Sequence, residues 1–224
     1  MAAIPQGNGS PGEFAEARRG MVESQIRKRG ISDERVLQAM VTVPRHEFVP
    51  AYWINQAYVD EPLPIGHGQT ISQPYIVAAM LASLRLTRTE KVLEIGTGCG
   101  YQAAVASLLA REVHTVEILP DLAQSAGDRL QRLGYPNVHV HTGDGTLGWL
   151  ESSPYDAILV AAAAPAIPEP LLEQLSEGGR LIAPVGEEDK QELRLVTKRD
   201  GKLIVRQGGP CRFVPLTGQH GWRK

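Results

Sequence analysis

The sequence is poor in cysteine and has no excess of charge of either sign. Only two of its 224 residues are cysteines, Cys99 and Cys211, with neither CxxC spacing nor a histidine cluster beside them. A disulfide framework and a metal site therefore find no support, and free thiols are typical of the reducing cytoplasm. Lys and Arg number 23 against 25 Asp and Glu, and no stretch mixes basic residues with aromatics, so we expect no nucleic-acid partner.

Long hydrophobic runs are also missing. The longest, AILVAAAAPAI, contains a proline and is too short for a helix that crosses a bilayer, which needs about 20 apolar residues. The N-terminus has no charged region followed by an apolar signal core. We therefore predict a cytoplasmic protein without a membrane partner.

The composition that remains is that of an ordinary globular chain, with 42% hydrophobic and 21% charged residues. Residues 1–14 are rich in Gly, Pro and small polar residues, so we expect there a disordered tail or a remnant of cloning. Residues 15–224 are predicted to form a single domain. Within it we distinguish an N-terminal helical part (15–85), a core (86–190) and a C-terminal hairpin with a tail (191–224).

Strand and helix patterns alternate through the core. The predicted strands are KVLEIG, EVHTVEI, NVHVHTG, YDAILVAAA and RLIAPVG, with helices at 101–110, 120–133 and 168–175. This alternation indicates βαβ units, hence an α/β fold with a doubly wound, mostly parallel, Rossmann-like sheet. Two helices at 15–29 and 33–43 cap it, a long loop leads to a helix opening at Ser72 or Gln73, and an antiparallel hairpin turns at Asp200-Gly201.

The stretch VLEIGTGCGYQ predicts a strand, a glycine-rich turn and a helix. Its glycines are Gly96, Gly98 and Gly100, and they let a ligand approach the backbone. A dinucleotide-binding turn has a further glycine at the sixth position, where this chain has Tyr101. A nicotinamide-dependent oxidoreductase is therefore the weaker alternative.

Acidic residues end the next two strands, at the edge where ligands of parallel sheets bind. Glu117 is placed to accept hydrogen bonds from two ribose hydroxyls, and Asp144, in TGDG, from an exocyclic amine such as that of adenine. A nucleoside ligand without a pyrophosphate fits this pattern, and S-adenosylmethionine is one. Each residue also has a local interpretation, because Glu117 could cap a helix and Asp144 could form an Asx turn with Gly145.

The residues after the fourth strand indicate the acceptor of the methyl group. Methyltransferases acting on the amino groups of bases commonly have an Asn/Asp-Pro-Pro-aromatic motif there, whereas this chain has AAAAP. A carboxylate acceptor needs no base, because it is ionised at pH 7 with a pKa near ~4. Orientation and exclusion of water could then supply much of the rate.

The chain resembles one family closely from about Arg19 to its C-terminus. The matching stretches are GISDERVLQAMVTVPRHEFVP, YVDEPLPIGHGQTISQPYIVAAM, VLEIGTGCGYQAAVAS, GDGTLGW, YDAILVAAAA and FVPL, of which PIGHGQTISQP is the most specific. They are similar to those of protein-L-isoaspartate O-methyltransferases. The resemblance implies methyl transfer from S-adenosylmethionine to the free α-carboxylate of L-isoaspartyl residues in damaged proteins and peptides. S-adenosylhomocysteine is then the product, repair of the linkage begins, and a monomer with an open cleft is expected.

The resemblance also implies roles for individual residues. Ser72 matches the residue designated as active-site. The cofactor-binding positions are Thr70, Ile71, Ser72, Gly96, Thr97, Gly98, Cys99, Gly100, Glu117, Ile118, Asp144, Gly145 and Thr217. The peptide-binding positions are Ile65, Gly66 and Val214.

Two alternatives remain open at this point. Ser72 precedes Pro74, so a plain helix N-cap would also explain it. The chain could also be a methyltransferase-like protein that only binds protein or RNA, although such a module has no need of the glycine turn, Glu117 and Asp144.

Overall fold

The computed structural model describes residues 10–222, and its centre is a seven-stranded sheet. The helices are α1 (Pro11–Met21), α2 (Glu34–Thr42), α3 (Pro74–Leu84), α4 (Tyr101–Ser107), α5 (Pro120–Arg132) and α6 (Glu169–Glu173). The strands are β1 (Leu63–Gly66), β2 (Gln69–Ile71), β3 (Lys91–Ile95), β4 (Glu112–Glu117), β5 (Val138–Thr142), β6 (Tyr155–Val160), β7 (Leu175–Gly186), β8 (Gln191–Arg199) and β9 (Lys202–Cys211). No described helix is both long and apolar enough to cross a membrane.

The sheet has the order β5-β4-β3-β6-β7-β8-β9. The first five strands of this order are parallel, whereas β8 is antiparallel to both β7 and β9. The chain moves outward from β3 to β5 and then returns to β6 on the other side of β3. This reversal opens a crevice at the carboxyl ends of β3 and β6, where doubly wound folds bind ligands. The predicted fold class is confirmed.

Alternate residues of the central strands pack on two separate cores. On β3, Val92 belongs to a core formed with the N-terminal helices and α4, whereas Leu93 and Ile95 face a second core that includes Leu171 of α6. All of these side chains are almost fully buried. Burial on both faces is the reason that these strands are continuous apolar runs.

The boundary placed at residue 15 is wrong, because α1 begins at Pro11. The side chain of Ser10 accepts a hydrogen bond from the Glu13 backbone N–H, and the Ser10 N–H donates to the Glu13 carboxylate at 2.6 Å. This capping box, with proline at the first helical position, starts a helix despite the polar composition. Phe14 is buried and stacks on His46 with ring centroids 4.0 Å apart. Residues 1–9 of the predicted tail lie outside the described residues.

The predicted helix 15–29 is interrupted rather than continuous. After α1 the chain makes a π-helical turn at Val22–Ile26 and a 3-10 turn at Arg27–Arg29, and it ends at Gly30 with φ 98°. The second helix has Asp33 as its N-cap. The long loop before α3 is more ordered than predicted, because it contains two 3-10 turns and the antiparallel β1–β2 hairpin.

The C-terminal hairpin turns at Asp200-Gly201 as predicted, with φ values of 52° and 68°. The last predicted core helix is short, since α6 ends at Glu173 and β7 begins at Leu175. After the hairpin, the chain runs along the carboxyl edge of the sheet. Hydrogen bonds from Ala163 N to Val214 O (2.8 Å) and from Leu216 N to Ala163 O (2.7 Å) attach this tail to the end of β6.

Candidate active site

The glycine turn connects β3 to α4 in a conformation that few other residues adopt. Gly96 and Gly98 have φ values of 91° and 53°. A Cβ added to Gly98 would lie 3.3 Å from the side chain of Ile65, so the turn passes close beneath the β1–β2 hairpin. A side chain at Gly98 would therefore be both strained and crowded.

Glu117, at the end of β4, holds this turn in place. One carboxylate oxygen accepts the Gly98 N–H at 2.8 Å, and the other accepts the Leu119 N–H at 3.2 Å, at the start of α5. Leu119 rather than Glu117 is the N-cap of α5, so Glu117 fixes the chain at the start of this helix without capping it, and it also lines the cavity above the turn. Each oxygen keeps a further lone pair that can accept a hydroxyl of a ligand.

A buried carboxyl group lies at the end of β3. Glu94 is 1% exposed, and one of its oxygens accepts the Thr115 hydroxyl, which also contacts the Thr97 hydroxyl at 2.7 Å. Its other oxygen, Oε1, has no hydrogen-bond partner among residues 10–222. Burial, opposed by the Thr115 hydrogen bond and assisted by the charge of Glu117, raises the pKa of Glu94 to about 8. The group therefore carries its proton over most of the neutral range.

A cavity of about 280 Å³ opens above the turn. It collects residues from the hairpin, the glycine turn, the ends of β4 and β6, and the C-terminal tail. Most of the predicted cofactor positions line it, namely Thr70, Ile71, Ser72, Gly96, Thr97, Gly98, Cys99, Glu117, Ile118, Gly145 and Thr217, together with the predicted peptide-binding Val214.

Four predicted site residues do not line this cavity. Gly100 is the left-handed N-cap of α4, and a Cβ there would meet Leu130 at 3.1 Å. Ile65 packs over Gly98, and Gly66 begins the turn between β1 and β2. Asp144 accepts hydrogen bonds from the Thr146 N–H (2.9 Å), the Thr146 hydroxyl (2.6 Å) and the Gln219 N–H (2.7 Å). The local Asx-type turn is therefore present, and the same carboxylate binds the C-terminal tail.

Ser72 lies where the cavity meets a second, open groove. The two share Thr70, Ser72, Ala161, Val214 and Pro215 as lining residues. The helix-cap interpretation of Ser72 is wrong, because Gln73 is the N-cap of α3 and no side chain caps that position in the described chain. The serine hydroxyl is therefore available at the junction.

The cavity also contains residues that sequence reasoning missed. Gln102 is 7% exposed, and its Nε2 has no hydrogen-bond partner within residues 10–222. The sequence signal that could have identified Gln102 as a cavity residue is its position two residues after the last glycine of the turn. Val77, Ala161 and Ala162 add apolar surface.

Tyr101, which occupies the place of the sixth-position glycine, explains why a dinucleotide pattern fails here. Its ring is buried against Phe48, with centroids 5.5 Å apart, and the guanidinium carbon of Arg45 lies 4.9 Å from the ring centre. A glycine there would leave a void between α4 and the N-terminal part of the chain.

These features fit a nucleoside-containing ligand. Gln102 Nε2, a buried polar atom of the cavity lining, lacks a partner within the described residues, and the backbone of the glycine turn is accessible from the cavity. Unpaired buried polar groups are rare and are found where a ligand completes the hydrogen bonding. The fold and the site together define an α/β methyltransferase of the S-adenosylmethionine-dependent class.

The comparisons with known proteins identify the family. The model of the family Protein-L-isoaspartate(D-aspartate) O-methyltransferase matches residues 16–221. A protein-L-isoaspartate O-methyltransferase of Methanoculleus marisnigri is 55% identical over 92% of this chain and 94% of its own length. One from Syntrophobacter fumaroxidans is also 55% identical, over 93% of this chain and 98% of its own. The chain belongs to the protein-L-isoaspartate O-methyltransferase family, as the resemblance predicted.

Solved structures agree. A protein-L-isoaspartate O-methyltransferase superposes with a TM-score of 0.83 at 34% identity, over 91% of this chain and 67% of the other. A Plasmodium falciparum structure, described as a putative member of the family in complex with S-adenosyl-L-homocysteine, has a TM-score of 0.76 at 26% identity, over 89% of this chain and 98% of that chain.

Proposed function

We propose that this chain transfers a methyl group to the free α-carboxylate of L-isoaspartyl residues in damaged proteins and peptides, which initiates their repair. S-adenosylmethionine is the methyl donor, and it supplies an electrophilic methyl group on a sulfonium. The observation that carries the proposal is the junction at Ser72, where the cavity above the glycine turn meets a groove that can admit a polypeptide.

The residues of the cavity would hold the donor by position and charge. Glu117 would accept the ribose hydroxyls while it keeps Gly98 in place, and Thr70 and Ile71 would line the methionine end. Gly145 and Thr217 would enclose the adenine end, and we retain Asp144 there as a residue that shapes the wall through Thr146 and Gln219.

The groove has walls from three parts of the chain. Residues 60–62, 70, 72, 73 and 76 come from the N-terminal part, residues 161, 188 and 189 from the core, and residues 210–215 from the C-terminal part. We therefore keep the division at 85/86 and 190/191 as part of the proposal, with the N-terminal and C-terminal parts supplying most of the peptide-binding wall. Ile65 and Gly66 line neither the groove nor the cavity, but they belong to the β1–β2 hairpin that contributes Thr70 to both, and we retain them in the proposal.

Ser72 would orient the acceptor rather than attack it. A carboxylate with a pKa near ~4 is already a nucleophile at pH 7, so the serine need only donate a hydrogen bond that directs one oxygen toward the methyl group. Orientation of this kind can account for a large part of a rate enhancement. Apolar Val77, Ala161 and Ala162 would help to exclude water.

The test uses two synthetic peptides that differ only in containing L-isoaspartate or L-aspartate. We expect a base-labile methyl ester on the isoaspartyl peptide alone. Ser72→Ala should lower kcat by roughly ten- to a hundredfold, the effect of one hydrogen bond to a charged group, with the affinity for S-adenosylhomocysteine nearly unchanged. Ser83→Ala is the matched control, since Ser83 is exposed on the next helix, α3, and bonds only its own turn. Full turnover in Ser72→Ala would reject the orienting role.

We further propose a cytoplasmic monomer without nucleic-acid or membrane partners. Cys99 and Cys211 are both free, as expected for a reducing compartment, and the near-neutral charge offers no attraction for nucleic acid. An open groove suits a monomer that must admit many polypeptides. Light scattering coupled to size exclusion measures the mass directly, and a mass of twice 24.3 kDa would contradict the monomer.

A further inference from the structure

A group of histidines lies on the outer strands of the sheet, apart from the residues that line the cavity and the groove. Glu112 and His114 are on β4, and His139 and His141 are on β5. His114 pairs directly with His139, and His141 is opposite Val116. Because side chains alternate along a strand, all four residues extend from the same face.

Three of these residues come close enough to share an ion. Glu112, His114 and His139 each offer one ligand atom, and these atoms lie within 4.8 Å of one another. Ligand atoms around a tetrahedral zinc ion, with bonds of about 2.0–2.2 Å, lie roughly 3.3–3.5 Å apart. His139 is exposed and Glu112 is half-buried, so small rotations of their side chains can close this difference.

The fourth residue orients the most buried one. His114 Nδ1 and His141 Nε2 are 3.0 Å apart, and the His141 ring stacks on Trp149 with centroids 4.1 Å apart. This contact fixes the ring of His114 and leaves Nε2 as its nitrogen for a metal. Metal-binding histidines commonly have such a hydrogen bond to their second nitrogen.

The ligand types, together with the cations nearby, limit the kind of metal ion that can bind. Arg111 contacts one oxygen of Glu112 at 3.0 Å and leaves the other for a metal. The Lys91 ammonium lies 5.5 Å from the centre of the Tyr155 ring, and this ring packs edge-on against His114. Glu151 is the acidic group whose negative charge acts on His141. A hard cation such as Mg²⁺ prefers several oxygen ligands and would not bind here, whereas imidazole suits Zn²⁺, Ni²⁺ and Cu²⁺.

We propose that Glu112, His114 and His139 form a binding site for one divalent transition-metal ion of the zinc type, with His141 as a positioning residue. The ion would link β4 to β5 and so stabilise the outer edge of the sheet. None of the four residues lines the cavity or the groove, so methyl transfer would not require it.

The test is calorimetric titration of the untagged, chelator-treated protein with Zn²⁺ and, separately, Mg²⁺. We expect one Zn²⁺ per chain, no heat of binding with Mg²⁺, and a higher melting temperature with Zn²⁺. His139→Ala and Glu112→Gln each alter an accessible side chain and should weaken zinc binding at least about tenfold, and His141→Ala should do so by ten- to a hundredfold.

His220→Ala is the matched control, because it removes an exposed imidazole elsewhere and should leave zinc binding unchanged. The proposal is overturned if the wild-type chain binds no Zn²⁺, or if either His139→Ala or Glu112→Gln keeps the wild-type affinity. Binding that is lost equally in His220→Ala would also overturn it.

Discussion

The cavity and the groove meet at Ser72, yet they differ in what fixes their walls. Both take residues from distant parts of the chain, but a direct contact fixes the floor of the cavity, because Glu117 at the end of β4 accepts a hydrogen bond from the glycine turn after β3. The groove has walls from residues that are far apart in the chain, such as Asp60 and Phe213, which only the fold brings together. The difference suggests that a donor site tolerates little change, whereas a peptide site can vary while the chemistry is retained.

The largest expected effect is that of a side chain in the glycine turn. In Gly98→Val, a β-branched residue would have to adopt a φ near 53° beneath Ile65. We expect a loss of activity on the order of a hundredfold or more through displaced donor contacts. Binding of S-adenosylhomocysteine, followed by calorimetry, should fall with it. Gly127→Ala, at an uncrowded helical position, should bind normally, and full affinity in Gly98→Val would contradict the account of the turn.

Neutralising the carboxylate that holds the turn should have the next largest effect. Glu117→Gln replaces one charged acceptor by a donor and removes charge-assisted hydrogen bonds, each worth about 1.5–3 kcal/mol. We expect the dissociation constant of S-adenosylhomocysteine to rise by ten- to a hundredfold. The exposed Glu173→Gln should leave it unchanged. An equal effect of both variants would show that general charge, rather than this contact, controls binding.

A change in the groove should separate the two sites. Phe213→Ala removes a half-buried ring from the groove wall, and loss of about 1 kcal/mol of apolar contact raises the KM for an isoaspartyl peptide several-fold. Affinity for S-adenosylhomocysteine should stay at the wild-type value, since Phe213 does not line the cavity. A parallel loss of donor affinity would mean that the two sites are not independent.

The last expected effect concerns stability and its dependence on pH rather than activity or binding. Glu94 is protonated in the fold up to about pH 8 but ionises near its usual pKa of about 4.5 in the unfolded chain. The unfolded state therefore binds fewer protons between these values, so the free energy of unfolding should fall as the pH rises through this window. Glu94→Gln is neutral throughout and should lack this component. Melting curves at pH 5 and pH 8 measure it, and a wild-type slope in the variant would contradict the high pKa.

Much of the fold and of the donor site could be predicted from the sequence, because short-range patterns carried the information. Alternating strands and helices indicated the parallel sheet, and the glycines with Glu117 marked the crevice. The start of α1 was missed because the polar composition concealed a capping box at Ser10 and Glu13. The hydrogen bond from the Gln219 N–H to Asp144 depended on a contact between distant parts of the chain that no local pattern reports.

The sequence by itself determined the class of fold, the family and the residues of the glycine turn, since each depends on residue types at fixed spacing along the chain. The tertiary structure decided that Ser72 lies between the cavity and the groove rather than capping a helix. It also paired His114 with His139 across two strands, although the whole of α5 lies between them in the chain. The physical reason is that such contacts depend on strand register and side-chain packing, which arise only when the whole sheet is assembled.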